Sequence, residues 1–127
     1  VIFGTGIDLA EIRRFEKWIN DSGFTDKYFA PEEMAYIRSR GKGAVNSLAA
    51  GYAAKEALCK ALGSGFDGLP LKEITVLRDE KGKPGFRLGS EVQRRVEACG
   101  KNPVVHLSLS HEAGLAVAQV IIEVDNG

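Results

Sequence analysis

The segment Ala53-Ala54-Lys55-Glu56-Ala57-Leu58-Cys59-Lys60-Ala61-Leu62, followed by the turn Gly63-Ser64-Gly65, carries the most suggestive grouping of charges in the chain. At 100° per residue, Glu56 falls between Val45, Ala49, Tyr52 and Cys59, inside a small and apolar stripe rather than on a solvated face. A carboxylate placed there needs a partner. Lys60 lies one turn further on the same side, so this face offers a carboxylate for a hard cation and an ammonium for an anion, which together suit a metal-bound phosphate. The plainer alternative is an intrahelical Glu56–Lys60 pair, worth about 0.3–0.5 kcal/mol.

Other groups fit known chemistries less well. His106, His111 and Glu112 are irregularly spaced for zinc, with neither a close cysteine pair nor a His-Glu-x-x-His motif beside them. Gly63-Ser64-Gly65-Phe66-Asp67-Gly68 is neither a P-loop nor a dinucleotide fingerprint, and it follows a helix C-terminus, whose dipole repels anions. A Ser-His-Asp hydrolase would want a nucleophile elbow, which the sequence lacks. His106, on a strand face with Ser108 and Ser110, is instead suited to hydrogen-bonding a phosphate.

These residues must be positioned by a short series of elements. Val1–Leu9 reads as a strand interrupted by Gly4 and Gly6 and ending near Asp8, which would sit at a strand-to-helix junction as metal ligand or as N-cap. Ile12, Phe15 and Ile19 recur at helical spacing over Glu11–Asn20, with Arg13, Arg14 and Lys17 elsewhere on the surface, and Asn20-Asp21-Ser22-Gly23 as the stop. Tyr28–Arg40 is expected to be a helix with Pro31 in its first turn, Glu32 and Glu33 at its positive end, and Arg38 and Arg40 at its negative end. Ala44–Leu62 is the longest helical pattern and ends at Gly63.

Glu73–Arg78 and Gly85–Leu88 read as a hairpin around the turn 79–84. Ser90 with Gln93 predicts a capping box for a helix whose stripe is Val92, Val96 and Cys99, ended by Gly100. Val104–Ser110 alternates, 111–114 turns, and Leu115–Val124 is apolar enough to be the central strand of a sheet.

A chain of 127 residues fits one domain, 1–127, with no internal linker or repeat. Zero net charge argues against general nucleic-acid binding, so charge has to be read locally. The two cysteines, Cys59 and Cys99, lack metal-ligand spacing and are expected as reduced, mostly buried thiols. No apolar run approaches a membrane span, and the N-terminus lacks the regions of a signal peptide. The expectation is a soluble, cytoplasmic protein without a membrane or nucleic-acid partner.

Four segments in order carry a resemblance over nearly the whole chain. They are Gly6-Ile7-Asp8-Leu9-Ala10-Glu11-Ile12-Arg13-Arg14; Ala53-Ala54-Lys55-Glu56-Ala57 with Lys60-Ala61-Leu62-Gly63; Gly82-Lys83-Pro84; and His106-Leu107-Ser108-Leu109-Ser110-His111. Together they resemble the holo-[acyl-carrier-protein] synthases, the short-form 4′-phosphopantetheinyl transferases. The resemblance implies an α+β fold with a mainly antiparallel sheet packed against a long central helix. It implies transfer of the phosphopantetheine arm of coenzyme A to a serine of an acyl carrier protein, with release of adenosine 3′,5′-bisphosphate. It further implies Mg2+ on Asp8 and Glu56, and a homotrimer with coenzyme A sites between subunits.

On that reading Lys60 joins Asp8 and Glu56 in catalysis, with Glu56 or a water on the metal taking the serine proton. Lys60, Gly63, Ser64, His106, Ser110 and His111 contact coenzyme A, with Gly63 and Gly65 as a hinge for the following loop. Arg13, Arg14 and Lys17, otherwise an ordinary solvated face, dock the acidic carrier. Two positions depart from the family. Gly51 stands where many members have an arginine, leaving Lys42, Lys60 or His106 to supply the cation, and Ser110 replaces a threonine while keeping the hydroxyl. The competing functions are a non-catalytic binding module for the same ligands and a different Mg2+-dependent phosphate enzyme.

Overall fold

The computed structural model describes residues 1–63 and 68–126. Strands β1 (Ile2–Glu11), β4 (Val104–Glu112) and β5 (Leu115–Glu123) form an antiparallel sheet in the order β1-β5-β4, and β2 (Ile74–Arg78) pairs antiparallel with β3 (Pro84–Leu88) in a separate hairpin. Among the described residues, four α-helices complete the fold: α1 (Ser22–Tyr28), α2 (Pro31–Ser39), α3 (Ala44–Leu62) and α4 (Ser90–Glu97). The expected α+β class, central β5 and long helix are all present. None of the helices among the described residues is long and apolar enough to cross a membrane.

The inner face of the sheet is set by period-2 alternation. Ala116, Ala118, Val120 and Ile122 of β5 are buried under α3, together with Leu107 of β4 and Ala10 of β1. The β4–β5 connection is tighter than expected, because Ala113 (φ 53°) and Gly114 (φ 80°) both take left-handed dihedrals and close the hairpin in two residues. At the other hairpin, the Asp79 carboxylate accepts the backbone N–H groups of Lys81 (2.8 Å) and Lys83 (2.9 Å).

Helix α3 lies directly on β1. Gly4 and Gly6 face it, and a Cβ on either would run into the carbonyl oxygens of Ala61 and Ala57. Ala53, Ala54, Ala57 and Ala61 keep that side of the helix equally slim. The glycines therefore do not interrupt the strand. Pairing with β5 runs without a break from Gly4 to Glu11, and Asp8 sits opposite Ala118 in mid-strand, which removes its reading as a helix N-cap.

The opposite side of α3 is held by charge. Lys55 is completely buried, and its ammonium donates to Glu33 Oε1 (2.8 Å), Leu71 O (3.0 Å) and Ile74 O (2.6 Å) above the Phe29 ring. Glu33 in turn accepts the backbone N–H of Ala30 (2.8 Å) and Val76 (3.0 Å). Burial pulls the Lys55 pKa down, and Glu33 opposes that pull.

Four local expectations are corrected. Glu11–Asn20 is not an α-helix but a 3₁₀ turn over Ile12–Phe15 and further turns, because Ile12, Phe15 and Trp18 recur every three residues and Trp18 N–H bonds back to Phe15 O. Asp21 starts α1 rather than stopping a helix, its Oδ1 accepting Phe24 N–H at 3.3 Å. Tyr28–Arg40 is split, since Phe29 and Ala30 are extended and Pro31 opens α2 as its first residue. Ser90 caps nothing. Gly89 is the N-cap of α4, and the Gln93 side chain reaches forward to Glu97 (3.1 Å), while the helix ends at Glu97, short of Gly100.

Because nothing flexible lies opposite Gly6, Gly6→Ala is expected to cost about 1–3 kcal/mol and lower the melting temperature. An unchanged thermal melt would contradict so close a contact.

Candidate active site

Alternation along β1 turns Asp8 to the same face as Gly6 and Ala10, toward α3. The close approach at Gly6 sets it beside Glu56 and Lys60. Lys60 Nζ pairs with Asp8 Oδ1 at 2.9 Å and also donates to Ile7 O at 3.0 Å. The intrahelical Glu56–Lys60 ion pair therefore gives way to a bridge between helix and strand.

Glu56 is half-buried, next to a cleft of about 240 Å³ lined by Tyr28, Tyr52, Cys59, Leu69 and Leu71. Its pKa is raised by burial and by the Asp8 charge, against the opposing effects of Lys60 and a hydrogen bond from the Tyr52 hydroxyl. Burial, helped by the Glu56 charge, pushes Tyr52 up to about 12, so it stays a donor. Burial and Glu56 likewise push the Cys59 thiol up to about 11, which makes it inert as a nucleophile near neutrality. Cys59 is buried and Cys99 partly so.

A carboxylate whose proton affinity is raised by burial and by a second carboxylate, with an ammonium alongside, is a fit for a hard cation carrying phosphate. Mg2+ takes one or two protein carboxylates and fills the rest of its octahedron with phosphate oxygens and water. Among the described residues no cluster of three metal-binding side chains occurs, so His106, His111 and Glu112 do not form one.

A second cavity, of about 370 Å³, opens elsewhere along α3, lined by Arg40, Arg78, Tyr36, Asn46, Ser110 and His111 among others. The guanidinium carbons of Arg78 and Arg40 lie 5.3 and 5.7 Å from the Tyr36 ring centroid. Ser47, also in its wall, precedes Glu56 by nine residues, which is about 14 Å along the axis and half a turn around it. One chain thus presents two clefts on different sides of α3.

The sequence-derived coenzyme A contacts divide between them. Lys60 stands with Asp8 and Glu56, and Gly63 caps the helix just beyond in a left-handed conformation (φ 76°). Ser110 and His111 line the second cavity. His106 joins neither, bonding Glu123 Oε1 at 3.0 Å on the open face of the sheet. Ser64 and Gly65 lie outside the described residues. Arg13, Arg14 and Lys17 come together, with Glu11 and Glu16, around a shallow depression just past the end of β1. Lys42 is exposed on the 3₁₀ turn Gly41–Gly43 before α3.

Sequence reasoning missed Arg40, Arg78 and the Tyr52 hydroxyl. A signal for Arg78 existed: Ile74, Val76 and Arg78 share one parity in β2, so a charge ends an otherwise inward-facing series.

A raised Glu56 pKa means that the folded chain holds this proton to higher pH than the unfolded chain does. Its contribution to stability therefore falls as pH rises from the ordinary carboxylate range through the folded pKa. Glu56→Gln removes that dependence. Without metal, the variant is expected to melt at or above the parent at pH 7, with the gap narrowing toward pH 4. A variant that melts well below the parent would contradict the unfavourable charge at Glu56.

Comparison with known proteins bears on what this arrangement belongs to. The family model described as the 4′-phosphopantetheinyl transferase superfamily matches residues 4–119. A holo-[acyl-carrier-protein] synthase of Treponema denticola is 46% identical over 124 residues, covering 97% of this chain and 99% of that protein. Among solved structures, the holo-[acyl-carrier-protein] synthase of Neisseria meningitidis superposes with a TM-score of 0.84 at 32% identity, covering 97% of this chain and 99% of that one. A complex of such a synthase with coenzyme A, from Chronobacterium ammoniagenes, superposes with a TM-score of 0.82 at 27% identity, covering 97% and 98%. The chain belongs to the 4′-phosphopantetheinyl transferase superfamily, as an enzyme of its holo-[acyl-carrier-protein] synthase family.

Proposed function

We propose that this enzyme transfers the 4′-phosphopantetheine group of coenzyme A, with Mg2+, to a serine of an apo acyl carrier protein and releases adenosine 3′,5′-bisphosphate. The observation that carries this reading is the Asp8–Glu56–Lys60 grouping across the α3–β1 contact. The coenzyme A complex of the Chronobacterium ammoniagenes relative supports the donor.

Asp8 and Glu56 would hold the metal, which would supply positive charge against the coenzyme A pyrophosphate. Lys60 exchanges part of its contact with Asp8 for a phosphate oxygen. Tyr52 fixes the Glu56 carboxylate through its hydroxyl. The carrier serine Oγ bonds to the phosphorus that bears the pantetheine arm, the bond from that phosphorus to the bridging oxygen breaks, and adenosine 3′,5′-bisphosphate leaves with the electron pair. The serine proton passes to a base at the site, either Glu56 or a water beside it.

Two features support a homotrimer. The outer face of the sheet is uncovered, with Ile7 and Leu9 each about 60% exposed and Phe3 and Leu115 beside them. Large exposed apolar surface of this kind marks an interface. The two clefts also point to different sides of α3, so a donor spanning both requires neighbouring subunits. The carrier, an acidic protein, docks on Arg13, Arg14 and Lys17 at the end of β1 that leads from Asp8.

Incubation with coenzyme A, Mg2+ and apo carrier, followed by mass spectrometry, is expected to show one phosphopantetheine added to the carrier. Binding without addition would leave only a binding module, and nucleotide breakdown without carrier would indicate another phosphate enzyme. In the same assay Arg14→Glu is expected to raise the KM for carrier and flatten its salt dependence; an unchanged KM would remove Arg14 from the docking surface.

A further inference from the structure

The cavity beside α2 carries an unbalanced charge. Arg40 and Arg78 both lie over Tyr36, no carboxylate lines the space, and His111 and Ser110 complete its far wall. The acids adjoining Arg78, Glu33 in the neighbouring cleft and Asp79 next in sequence, are committed elsewhere. Glu33 is held by Lys55 and two backbone N–H groups, and Asp79 by the backbone of its own hairpin. Among the described residues, Arg78 Nε is buried with no hydrogen-bond partner. A guanidinium that leaves a buried donor unmet is set for an acceptor that is not part of this chain.

Gly51 explains why this cation arrives from β2. A narrow cleft of about 20 Å³ lies between Gly51, Ser47, Tyr36 and Arg78. A Cβ at position 51 would stand 3.2 Å from Phe29 Cε2, and Phe29 is the ring packed beneath the buried Lys55 ammonium. A side chain at position 51 would press on that ring, which would have to give way slightly. Of the other cations considered, Lys60 is bound to Asp8, His106 faces Glu123, and Lys42 does not line the cavity.

We propose that Arg78, flanked by Arg40, is the residue by which this enzyme selects a donor carrying a phosphomonoester, gripping the 3′-phosphate of coenzyme A in this cavity. The inference rests on coenzyme A being the donor, as proposed above. With the pyrophosphate assigned to Asp8, Glu56 and Lys60, the remaining anion of coenzyme A is the 3′-phosphate. That group is close to a dianion at neutral pH, and the planar fork of arginine matches its oxygens.

Calorimetric titration of the parent protein with coenzyme A and with 3′-dephospho-coenzyme A, in Mg2+, tests this. Arg78→Leu is expected to weaken coenzyme A by about tenfold or more and to leave the dephospho form nearly unchanged, since a charge-assisted contact is lost with one ligand only. Arg78→Lys, which keeps stem and charge but loses the fork, is expected to fall between, and it carries the same comparison should the leucine variant not fold. Equal losses for both ligands, or no loss for either, would overturn the role of Arg78 while leaving the transfer reaction standing. A parent protein that binds neither ligand would overturn both.

Discussion

The structure depends on how closely α3 can approach β1. With no side chain at Gly4 or Gly6, and only alanines opposite, helix and strand backbones meet almost directly. That contact is what lets a side chain two residues along the strand, Asp8, feel the charge of Glu56 and bond to Lys60. A methyl group at Gly6 would meet the Ala57 carbonyl oxygen, so the two backbones would have to move apart. The Asp8–Glu56–Lys60 grouping is thus a consequence of a packing choice made with the smallest residues available.

The other side of the same helix shows the opposite solution. One step before Glu56, Lys55 carries a full charge into the core and satisfies it with Glu33, two carbonyls and the Phe29 ring. Such a pair gains little net energy over apolar packing, but removing one partner strands the other, which typically costs about 3–5 kcal/mol. It ties α2, the turn before β2 and α3 to a single point. Adjacent residues on one helix therefore divide the work: Lys55 fixes where the helix sits, and Glu56 faces the cleft.

Much of this was legible in the sequence where period and burial agree. The long helix, its Gly63 end, the central β5 and the inward bias of Glu56 all follow from apolar spacing. The segment after β1 was misread because Ile12, Phe15 and Ile19 satisfy a helical template, whereas Trp18, omitted from that template, restores the three-residue period of a 3₁₀ turn. Asp8 looked terminal because two glycines preceded it; only the opposing Ala57 and Ala61 carbonyls show why they are there. Ser110 and His111 share a cavity, but Arg78 comes to it from a distant hairpin, and no spacing rule within one segment joins them. His106, from the same motif, turned out to face Glu123 instead.

What unites these parts is the claim that a working site is composed from two chains, with Asp8, Glu56 and Lys60 from one and Arg40, Arg78 and His111 from its neighbour. Subunit mixing tests it most directly. Glu56→Gln and His111→Ala proteins, each deficient in transfer alone, would be unfolded, refolded together and assayed for phosphopantetheine addition to the carrier. The account predicts that the mixture regains a substantial part of parent activity, because some interfaces then pair an intact Glu56 with an intact His111. A mixture no more active than the two variants assayed separately would contradict it.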